Sequence, residues 1–251
     1  MTNQLKSIPS LLILCFLFSC ASTGNKSETK EQRADINALV NNSLVYAQNG
    51  QLNLAEITII KALEIDVNNV DANNIAGLIY SNTGENRLAV EYFEKALRLS
   101  PNDSSTLNNY ANFLCNSGET KQAEQKFLQA ATNPKNPNPE IAYTNAGLCM
   151  LRIPDILSAE EYFKTALDFQ PNNSIALYQL AQIYLNQGRG RQALDNLRAY
   201  ATFAKHTPET LKLGIEIGRY IRDKETEISY FNLLQNEFPA SREYQWAVST
   251  M

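Results

Sequence analysis

Residues 84–103, GENRLAVEYFEKALRLSPND, contain the pattern that decides the fold. Ala89 and Phe93 are one helical turn apart, so a small and a large side chain share one helix face. Pro101 lacks the amide donor that a helix requires, and the helix must therefore stop there. The stretch 154–173, PDILSAEEYFKTALDFQPNN, repeats this arrangement, with Ala159, Phe163 and Pro171 at the corresponding positions.

The same signal, a small residue followed four positions later by an aromatic or aliphatic one, recurs along the chain. Its copies are Ala55/Ile59, Ala89/Phe93, Ala123/Phe127, Ala159/Phe163, Ala193/Leu197 and a degenerate Glu227/Phe231. Their spacings are 34, 34, 36, 34 and 34 residues. Further residues fall in phase with them, namely Ala62, Ala96, Ala130 and Ala166, and Gly50, Gly84, Gly118 and Gly188. A period of 34 residues with this pattern is the signature of the tetratricopeptide repeat (TPR).

We therefore predict an all-α fold, a right-handed superhelix of six TPR helix-turn-helix units. The predicted repeats are 36–69, 70–103, 104–139, 140–173, 174–207 and 208–241. The third repeat carries two extra residues in a Pro-rich turn over 133–139. Residues 242–251 are predicted to form a helical cap on the last repeat, because a terminal repeat would otherwise expose its apolar face. Trp246 is expected to pack within that cap.

The first twenty residues predict export. Lys6 is the single charged side chain before an apolar run over 8–18, which is shorter than the ~20 residues that span a bilayer and suits a secretory signal. The run ends in LFSC at 17–20, which resembles a bacterial lipobox. We therefore predict a signal peptide over 1–19 and a lipid-modified Cys20. An ordinary secreted protein with a differently processed signal is the alternative.

The residues after the predicted lipidation site predict how the folded part of the chain is attached to the membrane. Residues 21–35 are small and polar, so 20–35 are predicted to form the lipidated cysteine and a flexible tether. Ser22, rather than Asp, lies two residues after Cys20, which favours an outer-membrane lipoprotein whose body faces the periplasm. Without 1–19 the chain has 21 basic and 26 acidic residues, a formal charge of −5. This mildly acidic body without a basic stripe is not expected to bind nucleic acid.

The first helices of a TPR superhelix line its concave face, with the second, fifth, ninth, twelfth and thirteenth residues of each repeat pointing inward. These positions predict a partner-binding groove. Asn side chains both donate and accept hydrogen bonds and could bind the main chain of an extended peptide; alternatively, Asn merely keeps the groove polar. The candidate groove residues are Asn74, Leu78, Asn82, Asn108, Asn112, Asn116, Leu148, Leu151, Tyr178 and Asn186, with Cys115 and Tyr220 at equivalent positions.

Positive charge is scarce on this predicted face. Only Arg152, Lys212 and Arg219 occupy inward-facing positions, all in the C-terminal half. A groove that binds a free C-terminal carboxylate needs several such residues close together. Recognition of a chain terminus is therefore not expected.

Cys115 and Cys149 lie at similar depths on adjacent first helices, but their positions within the repeat differ by two. We expect their side chains to point apart and to be small buried apolar groups; a disulfide formed in an oxidising periplasm is the alternative. His206, the single histidine, lies in a loop with no matching acid or nucleophile. We predict neither an enzyme active site nor a cofactor, metal or small-molecule site.

The whole layout resembles the PilF/PilW family of type IV pilus biogenesis and stability proteins. The stretches that carry the resemblance are NYANFLC at 109–115, GE at 118–119, KQAE at 121–124 and YTNAGLC at 143–149. The resemblance implies a pilotin, an outer-membrane lipoprotein that binds the secretin subunit and promotes its localisation and multimerisation. Type IV pili and twitching motility would then depend on it. A general periplasmic TPR scaffold for outer-membrane protein or cell-wall enzyme complexes is one alternative, and a holder of unfolded clients is another.

Overall fold

The computed structural model describes residues 29–153 and 155–250, and every regular element in that part of the chain is an α-helix. The predicted signal peptide and Cys20 lie outside the described residues. None of the described helices is both long and apolar enough to cross a bilayer. The helices are α1 (Lys30–Gln48), α2 (Leu52–Ile65), α3 (Val70–Thr83), α4 (Asn86–Leu99), α5 (Ser104–Asn116), α6 (Thr120–Ala131), α7 (Pro139–Met150), α8 (Ile156–Phe169), α9 (Ser174–Asn186), α10 (Gly190–Phe203), α11 (Pro208–Tyr220), α12 (Lys224–Glu237) and α13 (Arg242–Ser249).

Six successive helix pairs, α1–α2 to α11–α12, make the principal contacts of the structure, and α13 packs against α11 and α12 at the C-terminal end. Each predicted repeat corresponds to one of these pairs, although α1 begins before residue 36 and α7 begins at Pro139, one residue before the fourth repeat. The all-α TPR fold predicted from the period is therefore confirmed. In the terminal helix, Ala247 is fully buried and Trp246 is partly buried against the core.

The first helix begins earlier than the repeat boundary at 36 predicts. α1 starts at Lys30, so 30–35 belong to a helix and not to the predicted tether. The reason is a capping box, in which Thr29 Oγ1 accepts a hydrogen bond from the Gln32 amide and the Gln32 side chain accepts one from the Thr29 amide. Such reciprocal bonds satisfy two amides that a helix N-terminus otherwise leaves without partners.

The two helices of a repeat approach each other through a small residue. A Cβ placed on Gly77 would lie 2.7 Å from the ring of Phe93, and one on Gly147 would lie 2.7 Å from the ring of Phe163. Both rings are fully buried. The glycine of the first helix therefore provides the space that the aromatic ring of the second helix occupies, as the repeated pattern predicts.

The turns between repeats contain the residues that start the next helix. Asn69, Asp103 and Asn173 each accept a hydrogen bond from the backbone amide three residues later, at 2.9, 2.7 and 3.0 Å respectively. These N-caps satisfy helix amides that lack intrahelical partners. The Asn- and Asp-containing turns between these repeats therefore set where the following first helix begins.

The structure contains a disulfide between Cys115 on α5 and Cys149 on α7, with a Cα–Cα distance of 5.9 Å. The expectation of two free thiols pointing apart was wrong. Residues two positions apart on an α-helix differ by about 200° in direction, so they occupy opposite faces. Neighbouring first helices are equivalent and parallel, and their facing side chains must come from opposite faces. A difference of two positions therefore turns the two thiols toward each other.

We predict that the double substitution Cys115→Ala/Cys149→Ala lowers the free energy of unfolding by about 3–4 kcal/mol, because the bond restricts the unfolded chain. The two cysteines are separated by 34 residues, which is a long closed loop. Urea unfolding followed by circular dichroism measures the effect.

Reduction with dithiothreitol is the matched control for this prediction. It should lower the stability of the wild-type protein to that of the double variant and leave the variant unchanged. Equal stability of the oxidised wild-type protein and the variant would contradict the prediction.

Candidate partner-binding groove

The first helices of the repeats form a continuous layer over most of the molecule. α1 lies against α3, α3 against α5, α5 against α7, and α9 against α11. At the junction between the fourth and fifth repeats, the principal contact is between α8 and α9. The layer of first helices is the concave surface on which the sequence predicts a groove.

A central stripe runs along this layer and consists of the ninth residue of each repeat. Its members are Leu44, Leu78, Asn112, Leu148, Gln182 and Glu216, and each side chain is half-buried. The stripe is largely apolar in the first four repeats and polar in the last two. Leu44, Gln182 and Glu216 were missing from the predicted groove, although counting the same position in every repeat would have found them.

A polar rim runs beside the central stripe and consists of the thirteenth residues. Its members are Gln48, Asn82, Asn116, Arg152, Asn186 and Tyr220, all of them exposed. Three of them, Asn116, Arg152 and Tyr220, interact with a neighbouring repeat. Arg152 donates a hydrogen bond to Asn116 Oδ1, and the Tyr220 hydroxyl donates one to the carbonyl of Gly188 at 3.2 Å.

Three of the predicted groove asparagines are hydrogen-bonded within the protein, namely Asn74, Asn108 and Asn116, the last of which accepts from Arg152. Asn74 is 3% exposed; it donates to Ser105 Oγ at 3.2 Å and accepts from Asn109 Nδ2 at 3.0 Å. Asn108 accepts from Asn145 Nδ2 at 3.0 Å. These bonds join α3 to α5 and α5 to α7. The prediction that Asn74 lines the open groove is therefore wrong, because buried polar groups require partners and this side chain has both of them inside the protein.

The other predicted asparagines have free amides. Asn82, Asn112 and Asn186 make no side-chain hydrogen bond to any residue that the structure describes. Leu78 and Leu148 lie on either side of Asn112 along the central stripe. Free amides beside apolar side chains can bind the main chain and the side chains of one extended peptide together.

Tyr178 and Leu151 are two of the predicted groove residues nearer the C-terminal end. Tyr178 is half-buried and its hydroxyl accepts a hydrogen bond from Gln182 Nε2 at 2.9 Å. Burial, with the nearby carboxylates of Glu209 and Glu216, raises the pKa of Tyr178, so its phenol stays protonated at neutral pH. Leu151, at the C-terminal end of α7, is half-buried.

The cations at this end interact within the protein. Lys212 Nζ lies 3.7 Å from Glu216 Oε1 and 4.7 Å from the centre of the Trp246 ring. Arg219 Nε lies 2.8 Å from Glu227 Oε1. These contacts tie α11 to the terminal helices and give the two cations a structural role.

The side chain of His206 also makes its contacts within the protein. Its Nδ1 lies 3.0 Å from Thr210 Oγ1, and its ring packs between the rings of Tyr200 and Tyr230. Burial lowers the pKa of this histidine, so the neutral imidazole is favoured. Within residues 29–153 and 155–250, no group of three or more His, Cys, Asp and Glu side chains is arranged to hold a metal ion.

A buried carboxylate connects the fourth and fifth repeats. Glu160 on α8 is 8% exposed and accepts hydrogen bonds from Arg189 at 2.9 Å, from Gln187 at 3.1 Å and from Lys164. Burial by itself would raise the pKa of Glu160, but the hydrogen bonds outweigh it and lower the pKa to about 2. The carboxylate is therefore charged at neutral pH and holds α8 against the start of α10.

Comparison with known protein families identifies the repeats independently. Two profiles described as Tetratricopeptide repeat match this chain, one at residues 92–125 and 162–195 and the other at 70–103. Among characterised proteins, the type IV pilus assembly protein PilF of Pseudomonas aeruginosa is 27% identical over 237 residues. That alignment covers 93% of this chain and 94% of PilF.

Solved structures give the same relatives. The Pseudomonas aeruginosa PilF structure superposes with a TM-score of 0.75 at 27% identity, covering 88% of this chain and all of that one. PilW, a widely conserved type IV pilus biogenesis factor, superposes with a TM-score of 0.73 at 27% identity, covering 85% and 98%. The TPR protein YrrB, at 18% identity and a TM-score of 0.59, covers 76% and 97% and shares the fold.

The two kinds of asparagine should respond differently to truncation. We predict that Asn74→Ala lowers the free energy of unfolding by about 1–3 kcal/mol, because it leaves buried partners unsatisfied. Asn112→Ala should change it by less than about 0.5 kcal/mol, as is usual for surface positions. Urea unfolding of both variants measures the difference, and equal losses would show that the two residues do not have separate roles.

The Glu160 cluster predicts a pH dependence of stability. The pKa of Glu160 is lowered from 4.5 to about 2 in the folded protein, so its contribution is present above pH 4.5 and is lost as the pH falls toward 2. We expect Glu160→Gln to remove about 2 kcal/mol of this pH-dependent stability. Urea unfolding of both proteins at pH 7, 4 and 2.5 measures it. Parallel pH profiles for the wild-type and the variant would contradict the assignment.

Proposed function

This chain belongs to the PilF/PilW family of TPR proteins of type IV pilus biogenesis, and from that premise we propose that it is a pilotin. It binds the pilus secretin subunit in the periplasm, brings it to the outer membrane and promotes its assembly into the multimeric pore. The observation that carries the proposal is similarity over nearly the full length of both chains, 93% of this one and 94% of the Pseudomonas aeruginosa protein. A likeness confined to a few repeats would support only a shared fold.

The groove supports binding of one extended protein segment. In the first four repeats the central stripe presents Leu44, Leu78 and Leu148, each half-buried and therefore able to lose further surface to a partner. Asn82 and Asn112 lie beside them with amides that are free to bind a main chain. We propose that a segment of the secretin subunit lies along this part of the groove, with apolar side chains on the leucines.

The location follows from the predicted lipid. We propose that Cys20 carries the acyl chains and that they hold the protein on the periplasmic face of the outer membrane. Two or more acyl chains anchor a protein stably, whereas one gives reversible binding. Because α1 begins at Lys30, nine residues separate that helix from the proposed lipid attachment at Cys20.

Deletion of the gene tests the function. We predict that the pilus secretin disappears as a high-mass multimer from unheated gels of outer membranes and that monomer remains. Wild-type protein should restore the multimer and Cys20→Ala should restore it poorly. An unchanged multimer at the outer membrane would refute the pilotin proposal and favour a general periplasmic TPR scaffold.

Groove variants test the binding surface in the same strain. Leu78→Asp and Leu148→Asp should weaken secretin binding at least tenfold, or about 1.4 kcal/mol, because each places a charge on the apolar stripe. Ile228→Asp is the matched control, since Ile228 is 51% exposed on α12, outside the layer of first helices. Equal loss of binding in all three would indicate that the groove is not the contact surface.

A further inference from the structure

The turn inside the fourth repeat differs from the other five. The corresponding turns read NGQ at 49–51, TGE at 83–85, SGE at 117–119, QGR at 187–189 and IRD at 221–223. In the fourth repeat the turn and the start of α8 read LRIPDIL over 151–157. At the position of Leu157, the other repeats carry only polar or charged residues, which are Asn53, Arg87, Lys121, Arg191 and Glu225.

Three apolar side chains of this segment face solvent, and we call them the apolar tip: Ile153, Ile156 and Leu157. Ile153 and Ile156 are each 37% exposed and Leu157 is 79% exposed, more than any other large apolar side chain in the described residues. Isolated exposed leucines are common, but adjacent ones at the end of a turn mark a contact site. Folding gains little from these side chains, since most of the surface of Leu157 stays in water.

The edge of the molecule around the apolar tip is positively charged. The turns of repeats three to five, together with the first residues of the helices that follow them, contain four cations and two acids, which are Lys121, Arg152, Arg189 and Arg191 against Glu119 and Asp155. Asp155 is directed inward, because it caps α8 by accepting from the Ser158 amide and hydroxyl. Arg189 is paired with the buried Glu160.

The cations that remain on this edge are Lys121, Arg152 and Arg191, all exposed. They are an exception on a chain whose formal charge is −4. Arg152 bonds to the neutral amide of Asn116, so its charge is not compensated there. An apolar tip surrounded by cations is complementary to a surface whose outer layer carries anionic groups and whose interior is apolar.

We propose that the apolar tip inserts into the surface of an anionic lipid bilayer, with Lys121, Arg152 and Arg191 at the level of the lipid phosphates. Its size favours a bilayer over a protein, because three side chains cover far less than the ~800 Å² per partner of a stable protein interface. Shallow insertion needs little area when an anchor keeps the body close to the membrane. The inference therefore rests on the proposed lipid at Cys20.

Insertion would also orient the groove. Ile156 and Leu157 belong to α8, a second helix, whereas the central stripe lies on the first helices. The two features are on different layers of each helix pair. With the tip in the bilayer, the edge of the polar rim at Arg152 lies at the membrane surface, and the central stripe stays open to a partner in the periplasm.

A fluorescent probe at the tip tests the proposal. In the mature chain Cys115 and Cys149 are bonded and Cys20 is acylated, so Leu157→Cys introduces the one free thiol. The full mature protein is labelled there with an environment-sensitive fluorophore and reconstituted in vesicles of phosphatidylethanolamine and phosphatidylglycerol. Arg87→Cys, the same position in the second repeat, is the matched control.

We expect quenchers attached to the lipid chains to quench the probe at 157 about threefold more than the probe at 87, because only an inserted probe contacts them. Ile153→Ser/Ile156→Ser in the Leu157→Cys protein should abolish the difference. Replacing Lys121, Arg152 and Arg191 by Gln should weaken insertion about fivefold per charge at an anionic surface, and neutral phosphatidylcholine vesicles should do the same.

Equal quenching at 157 and 87 would overturn the proposal. So would shielding of the probe at 157 that appears only when the secretin subunit is added, because the tip would then be a protein contact. The fluorescence measurement contains no secretin, and the mass of the N-terminal peptide reports the lipid separately. The measurements therefore distinguish whether tip insertion, lipidation at Cys20 or secretin binding is the proposal that fails.

Discussion

The close contact between a small residue of each first helix and a buried side chain of each second helix is the constraint on which the other features depend. At Gly77 and Gly147 the phenylalanine rings of Phe93 and Phe163 occupy the space that a Cβ would need. Packed interiors tolerate little change in volume, so this contact fixes the distance between the two helices of a repeat. Stacking similar units then places the first helices parallel to one another and at a nearly constant spacing. The inter-repeat bonds and the groove are both consequences of that spacing.

Parallel first helices give the same residue type two different roles. An asparagine directed at the neighbouring helix is buried and must find its partners there, as Asn74 does with Ser105 and Asn109. An asparagine directed at the concavity, such as Asn112, keeps its amide for a partner. The first kind connects the repeats and the second kind offers binding groups. The positions of the free asparagine amides therefore depend on the buried asparagines, which hold neighbouring first helices together. If these helices shifted, the hydrogen-bonding groups of the groove would no longer keep a fixed spacing.

The 34-residue period predicted the helix pairs because it reflects a contact between the two helices of one repeat. These helices are neighbours in the sequence as well as in space. Features that depend on how neighbouring repeats face each other were harder to predict from the sequence. Asn74 and Asn112 look alike in the sequence, and their positions in the repeat do not by themselves say which amide meets a neighbour. Cys115 and Cys149 were predicted to point apart because equivalent positions were assumed to face each other, whereas parallel helices meet through opposite faces. The start of α1 at Lys30 was missed because it depends on a local capping box and not on apolar periodicity.

The single disulfide between α5 and α7 also bears on how the chain is oxidised. The sequence contains four cysteines, of which one lies in the predicted signal peptide and one is the predicted site of acylation. The two that remain are Cys115 and Cys149, so an oxidant can form only one intramolecular pair. Oxidative maturation of this protein then needs a thiol oxidase but no disulfide isomerase, since there is no wrong pairing to correct. The third and fourth repeats can become covalently joined as soon as α7 docks on α5 in the presence of an oxidant.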